Sequence, residues 1–409
     1  MNVDSIPDMR DNQEWCPIGS SADLPRGSLR AVRVLGADLA LFRTSSGDLG
    51  LWDGRCPHNG ASLAQGQLDA KDETLRCPFH HWEFSTSKDR RGSCMRIPGC
   101  APRDVRVKDH KTLELDGKIY GGRETIAETA RSQALLDASG NMDLSGWFLV
   151  ARSHELPCEK MFFSKRYSLR RIGDAPHATE SGDAGVNEQL TLVELDGGVY
   201  GWRHPDGGPP TWQLKASGID HRVWRKVNEV DLMIHAPLSI VKENGVDFQH
   251  FGPIHSSEIE RESVEFFVDG PLFRYAWIAR YRKIVRFLIT EEMQGFGYSV
   301  VTTKFVGTPV NILMFAGSTP VDDMLIHSRI DQYCTRGDSS QRLNLARNAL
   351  YRLYAKFVAH NLMDDLVIWN QQRAVKTMLS RVDGPIMKFR KWGMQFRSSP
   401  TQTADLENI

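Results

Sequence analysis

The sequence predicts an α+β protein of more than one domain, and three observations carry that reading. Short β-like runs broken by Gly and Asp fill the stretch from Arg30 to about residue 122. A longer strand-rich meander runs from Val264 to Thr335, and one uninterrupted helical stretch follows it. At 409 residues the chain also exceeds the roughly 250 to 300 residues that one core serves.

The first module opens with LRAVRVLG, ALFRTSSGD and LGLWDG, alternating runs that read as antiparallel strands. It closes with VRVKDHKTLELDGKIYGG, so the first domain is set at residues 1–122. RETIAETARSQALLDASGN then reads as a partly helical connector. The segment 123–200 is treated as an insert. Within it WFLVARSHELP echoes WCPIGSSADLP, and VELDGGVYGW echoes LELDGKIYGG. It is therefore either a ligand-free partial copy of the first module or a chance match between short β segments. His177, in the polar run APHATESGDAG, reads as a loop residue. The third domain, 201–409, contains the runs VEFFVDG, LFRYAWIARY, KIVRFLITEEM, YSVVTTKFVG, NILMFAGSTP and LIHSRIDQYC. The helical stretch RLNLARNALYRLYAKFVAHNLMDDLVIWNQQRAV follows, without internal Gly or Pro. A curved antiparallel sheet packed on this long C-terminal helix is the expected architecture.

Composition narrows the partners. Lys plus Arg and Asp plus Glu each number 51, which argues against nucleic acid. No run approaches the roughly 18 to 20 apolar residues of a membrane span, and the start MNVDSIPDMRDNQEW lacks a signal-peptide pattern. A cytoplasmic chain is expected. The seven cysteines are odd in number and dispersed, unlike a disulfide framework.

Cys56-Pro57-His58, eighteen intervening residues and Cys77-Pro78-Phe79-His80 form a full four-ligand set. Such a set holds either tetrahedral zinc or a [2Fe-2S] cluster with two thiolates on one iron and two imidazoles on the other. Zinc fingers usually pair Cys with Cys and His with His. Here each loop gives one of each, which suits two loops gripping a cluster from either side. Pro57 and Pro78 would stiffen the loops, Trp82 could shield the site from water, and His81 reads as structural rather than as a fifth ligand.

The second constellation is Glu243, Asp247, His250 and His255. If its first part is helical, Glu243, Asp247 and His250 share one face. His250 and His255 would splay by roughly 140° on an unbroken helix, and Gly252 and Pro253 are expected to break it and let the imidazoles meet. Two histidines and one carboxylate suit a non-haem Fe(II) site with open positions. The carboxylate is sought in Met363-Asp364-Asp365-Leu366. Asp365 lies in line with Tyr354, Val358 and Trp369 on an apolar stripe, where it would be costly to bury without a cation. Asp364 is about 100° away and stays as the alternative.

The paired Cys/His loops, with the context CPFHHWEF, resemble the Rieske family, and the later motif resembles its non-haem iron oxygenases. The Asp365-x-x-Ile368-Trp369 pattern and the tail DGPIMKFRKWGMQF are similar to the 3-ketosteroid hydroxylase and cholesterol desaturase-like branch. The resemblance implies a helix-grip, START-like catalytic domain. It implies that Cys56 and Cys77 bind one cluster iron and His58 and His80 the other, and that His250, His255 and Asp365 bind the mononuclear Fe(II). It implies that Asp247 is a bridging carboxylate that orients His250 and links the two centres, in a head-to-tail homotrimer.

The resemblance further implies an oxygenase that hydroxylates, desaturates or demethylates a largely apolar small molecule, steroid-like or polycyclic and aromatic, with O₂ as co-substrate. No strand-Gly-x-Gly-x-x-Gly-helix unit is present, so NAD(P)H would act through a separate reductase, with or without a ferredoxin. The alternative is a Rieske electron carrier or redox sensor whose C-terminal domain only binds partners.

Overall fold

The computed structural model describes residues 14–398 other than 72, 138–139, 182–188, 221, 309 and 336–340, and other than the side chains of 341–348, 350 and 353. The chain start read as leader-free falls on residues 1–13, outside the described residues. The chain forms two compact units, residues 1–138 with 371–382, and residues 139–370 with 383–409.

The first unit contains β1 (Trp15–Ser20), β2 (Ser28–Val34), β3 (Ala37–Arg43), β4 (Leu49–Asp53), β5 (Gln67–Asp69), β6 (Thr74–Arg76), β7 (Glu83–Ser85), β8 (Cys94–Arg96), β9 (Asp109–His110), β10 (Thr112–Leu115) and β11 (Lys118–Gly122). The connector RETIAETARSQALLD is the helix α1 (Arg123–Asp137), which stays with this unit. Three small antiparallel sheets result, in the orders β1-β11-β10, β2-β3-β4-β9 and β5-β6-β7-β8. Leu39, Leu41, Leu51 and Ile119 bury one face of the first two, and Ile126 of α1 joins them. That burial is what makes the period-two runs of the sequence strands rather than helices.

The second unit opens with β12 (Gly146–Arg152), β13 (Cys158–Phe162), β14 (Lys165–Ile172), β15 (Ala175–Glu180), β16 (Leu192–Leu195) and β17 (Gly198–Arg203). Sheet β12-β17-β16 has the strand order of β1-β11-β10. Each has a register shift within its first strand, between Pro17 and Gly19 and between Leu149 and Ala151. The Asp-Gly turns Asp116-Gly117 and Asp196-Gly197 close matching hairpins with positive φ at both residues, the requirement of the tight two-residue turn. His177 lies on strand β15, not in a loop: its run pairs with β14.

Next come β18 (Trp224–His235), α2 (Leu238–Glu243), α3 (Phe251–His255), β19 (Ser257–Asp269), β20 (Leu272–Tyr281), β21 (Val285–Gln294), β22 (Tyr298–Phe305), β23 (Asn311–Pro320), β24 (Leu325–Thr335), α4 (Gln341–Trp369) and α5 (Gly384–Gly393). The expected meander forms β19 to β24, and β18 extends it by pairing with β24 to give the seven-stranded order β18-β24-β23-β22-β21-β20-β19. The α2 and α3 helices lie in the connection between the two edge strands, β18 and β19. The long helix α4 packs on the sheet through hydroxyl pairs, Tyr354 with Thr303 at 2.9 Å and Tyr351 with Thr335 at 2.9 Å. Architecture and class are thus α+β, with an N-terminal Rieske-type β module and an antiparallel sheet gripped by one helix.

Candidate metal centres

The first unit brings Cys56, His58, Cys77 and His80 together from two loops, one between β4 and β5 and one between β6 and β7. Both loops are tied in the same way: Cys56 N–H donates to the Ala61 carbonyl at 2.8 Å and Cys77 N–H to the Trp82 carbonyl at 2.8 Å. The four side chains are buried. The His58 and His80 Nδ1 atoms face each other at 3.0 Å. Trp82 stacks on His58 with centroids 4.4 Å apart, the shielding position expected of it. His81, at φ +56°, turns the chain away after His80.

The two thiols form a pair. Burial pushes the Cys56 thiol well above its ordinary value while it hydrogen-bonds Cys77, and Cys77, the acceptor of that bond, is shifted down. Both cannot ionise in so dry a place without positive charge beside them, so the donor set fits bound iron. The two imidazoles face each other through Nδ1 and the two thiols hydrogen-bond each other. A sulfur pair at one side and a nitrogen pair at the other is what a two-iron cluster takes.

Sequence reasoning missed a strap over the first loop. Residues 371–382 belong to the first unit. Within it, Gln372 Nε2 donates to the Asn59 carbonyl at 2.8 Å, Arg373 N–H to Gly60 at 3.1 Å, and Met378 N–H to Pro57 at 2.9 Å. Arg55 donates to the Ala374 carbonyl at 3.1 Å and to Asp137 at 2.7 Å. Gly60, at φ +72°, lies so near the strap that a Cβ there would sit 1.8 Å from the Arg373 carbonyl oxygen. No local pattern announces this contact, because its partners are some 310 positions apart.

In the second unit His250, His255 and Asp365 converge, all buried. His255 Nε2 lies 3.1 Å and His250 Nε2 3.9 Å from Asp365 Oδ1. That oxygen lacks a hydrogen bond, whereas Asp365 Oδ2 accepts one from Asn244 Nδ2 at 3.2 Å. His250 Nδ1 meets the Asp247 carbonyl at 2.5 Å, which fixes the tautomer and leaves Nε2 to face the carboxylate. Two imidazole nitrogens and one carboxylate oxygen on a common centre fit a divalent metal ion and suit non-haem iron. Asp364 stands apart: it is partly exposed, with Oδ2 3.6 Å from His360 Nε2.

Two local expectations fail. Glu243, Asp247 and His250 do not share a helical face, because α2 ends at Glu243, a 3₁₀ turn covers Asn244–Val246, and Asp247 leaves the helical region at ψ 80°. Nor do Gly252 and Pro253 break a helix. They lie inside α3, where Pro253 occupies the first turn and needs no N–H partner. The breaks fall on either side, at Asp247 and at Ser256, which is left-handed at φ 51°. His250 caps that one-turn helix and His255 ends it, and their ring centroids come within 5.0 Å. Asp247 contacts His250 through its backbone carbonyl.

Glu243 has a separate partner that the sequence did not suggest. Arg390 of α5 grips its carboxylate with two hydrogen bonds, of 2.5 and 2.8 Å. Asp365 and Asn244 also line a cavity between sheet and α4, whose wall includes Leu232, Ile234, Val301, Met314 and Trp369.

Two known domain families match the regions that hold these centres. The description "Rieske [2Fe-2S] domain" matches residues 14–113, and "3-Ketosteroid 9alpha-hydroxylase C-terminal domain" matches residues 201–397. The oxygenase subunit of 3-chlorobenzoate-3,4-dioxygenase from Comamonas testosteroni is 35% identical over 130 residues, which are 30% of this chain and 29% of that protein. Cholesterol 7-desaturase of Xenopus laevis is 22% identical over 97% of this chain and 74% of its own length. The Caenorhabditis elegans cholesterol 7-desaturase is 22% identical over 98% of this chain and 81% of its own. The chain thus spans under a third of the first relative. Among the described residues no helix is long and apolar enough to cross a membrane.

Proposed function

We infer from a chain that belongs to the Rieske-type oxygenases, by its Rieske domain at 14–113 and hydroxylase C-terminal domain at 201–397, an enzyme that uses O₂ to hydroxylate, desaturate or demethylate a largely apolar small molecule. Steroid-like and polycyclic or aromatic compounds are the substrate class, in line with the named relatives. The observation that carries this reading is the His250–His255–Asp365 group opening, through Asp365, onto a mostly apolar cavity.

In this reading Cys56, His58, Cys77 and His80 hold a [2Fe-2S] cluster, and His250, His255 and Asp365 hold Fe(II). When bound, these groups supply single-electron transfer and activation of O₂. The protein's own residues do the rest. The Asp247 carbonyl holds the His250 proton on Nδ1, Asn244 orients Asp365, and the apolar wall binds the substrate and keeps water from it. Asp247 is assigned to orienting His250 and, by its place in the motif, to linking the two centres; its carbonyl contact with His250 Nδ1 supports the first of these roles.

We assign residues 1–122 to the cluster domain, 123–200 to an insert whose strands are a ligand-free partial copy of it, and 201–409 to the iron domain, with α1 and the strap 371–382 packed on the cluster domain. The matching strand orders and Asp-Gly turns support the copy. Electrons come from NAD(P)H through a separate reductase or ferredoxin, and the working form is a cytoplasmic homotrimer.

The test is iron analysis with O₂ uptake on reductase-supplied protein. His250→Ala and Asp365→Ala should lose the mononuclear iron and substrate-coupled O₂ uptake, while the visible spectrum of the cluster stays. Full function in both variants would instead mark an electron carrier or sensor.

A further inference from the structure

Two charged side chains, Lys242 and Glu291, also line the cavity beside Asp365. Lys242 of α2 is only 9% exposed, and its ammonium donates to Ser299 Oγ at a long 3.4 Å. Burial lowers its proton affinity, and Glu291, across the cavity lining, works the other way. Glu291 Oε2 accepts the Tyr275 hydroxyl. Gly245 packs so close that a Cβ there would lie 2.0 Å from that hydroxyl oxygen, so the carboxylate is held in place. Among the described residues no protein donor meets Glu291 Oε1. Lys242, Glu291 and Ser299 line the same cavity as Asp365 and Asn244.

A buried ammonium with one long hydrogen bond and, on the same cavity wall, a half-buried carboxylate oxygen that no protein donor among the described residues reaches are best met together by a ligand group that serves both. A carboxylate satisfies Lys242 and is repelled by Glu291, and an amine has the opposite fault. A ketone or ether accepts from Lys242 but leaves the Glu291 oxygen without a proton. A hydroxyl does both, accepting from the ammonium through oxygen and donating its proton to the carboxylate. We propose that this cavity selects a ring compound bearing a hydroxyl group, read by Lys242 and Glu291 as specificity-determining residues. The proposal rests on the reading of the cavity as the substrate site.

Equilibrium dialysis of the iron- and cluster-replete protein with 2-naphthol, 2-methoxynaphthalene and 2-naphthoate tests it without turnover. The hydroxyl compound should bind roughly tenfold or more tightly than either of the others. In Lys242→Met and in Glu291→Met that preference should shrink to about twofold, with 2-methoxynaphthalene binding retained, which a merely structural role would not produce. Each variant carries the argument if the other fails to fold. Equal binding of naphthol and its ether, tighter binding of naphthoate, no binding of any of the three, or a preference that survives both substitutions overturns the proposal. A protein that keeps the hydroxyl preference but never couples O₂ to product refutes the oxygenase reading instead.

Discussion

Replacing Arg390 by Ala tests how the segment that carries Asn244 and His250 is held. Glu243 ends α2, one residue before Asn244, which bonds Asp365. Its carboxylate is buried at 4% exposure and takes two hydrogen bonds from Arg390. Burial acts against the Arg390 charge, but Glu243 outweighs it, with Asp247 and Asp383 adding to the field, so the guanidinium holds its proton more firmly than usual. Removing one partner of such a pair leaves a buried charge uncompensated, at a cost of about 3–5 kcal/mol. A unit of this size moves its midpoint by roughly 2–4 °C per kcal/mol, so a fall of about 6–20 °C is expected in a calorimetric scan. Because the disturbed turn carries Asn244, iron retention on dialysis against chelator should fall as well. The double variant Glu243→Gln with Arg390→Met, which removes the charge from both sides, should recover more than half of the lost stability. A single variant that melts within about 2 °C of the parent, or a double variant whose loss is the sum of the singles, would refute the argument.

Asn244→Ala should leave the fold intact and weaken iron binding by roughly 10- to 100-fold, read by metal analysis after chelation, since it frees the oxygen of Asp365 that turns away from the site. Gly60→Ala should cost at least the roughly 1–3 kcal/mol of a left-handed non-glycine residue, and its clash with Arg373 should displace the strap; a normal visible cluster spectrum at normal yield would count against the strap's importance. His110 is held down to about 4, chiefly by burial, below its ordinary value near 6.5. The unfolded chain therefore takes up that proton first, so His110 weakens the fold progressively as pH falls from about 6.5 to 4 and has no such effect above 6.5. Thermal midpoints at the two ends of that window should converge in His110→Gln relative to the parent.

Much of the fold was legible because it follows from local rules. Alternating apolar residues marked the strands and an unbroken helical period marked α4. The cluster motif was legible for a related reason: a ligand pair within three or four residues is a loop property, carried by the chain itself. Asp365 was favoured modestly over Asp364 because a carboxylate on an apolar stripe is costly to bury without a cation, and the structure brings Asp365 to the two histidines.

The sequence could not decide the geometries set by packing between distant segments. The chain breaks at Asp247 and Ser256 and not, as expected, at Gly252-Pro253, because proline is tolerated in a first helical turn and the competing caps depend on neighbours. Strand β18 was invisible until β24 supplied its hydrogen-bond partners. Gln372 and Arg373 acquire their place on the cluster loop, Arg390 its place on Glu243, and Lys242 its place opposite Glu291, only when the folded chain brings them there. A local motif fixes which atoms can bind a metal, since bond lengths and spacing are short-range. Which charges are buried beside it, and what a cavity wall will accept, depends on desolvation by residues hundreds of positions away, and only tertiary structure decides that.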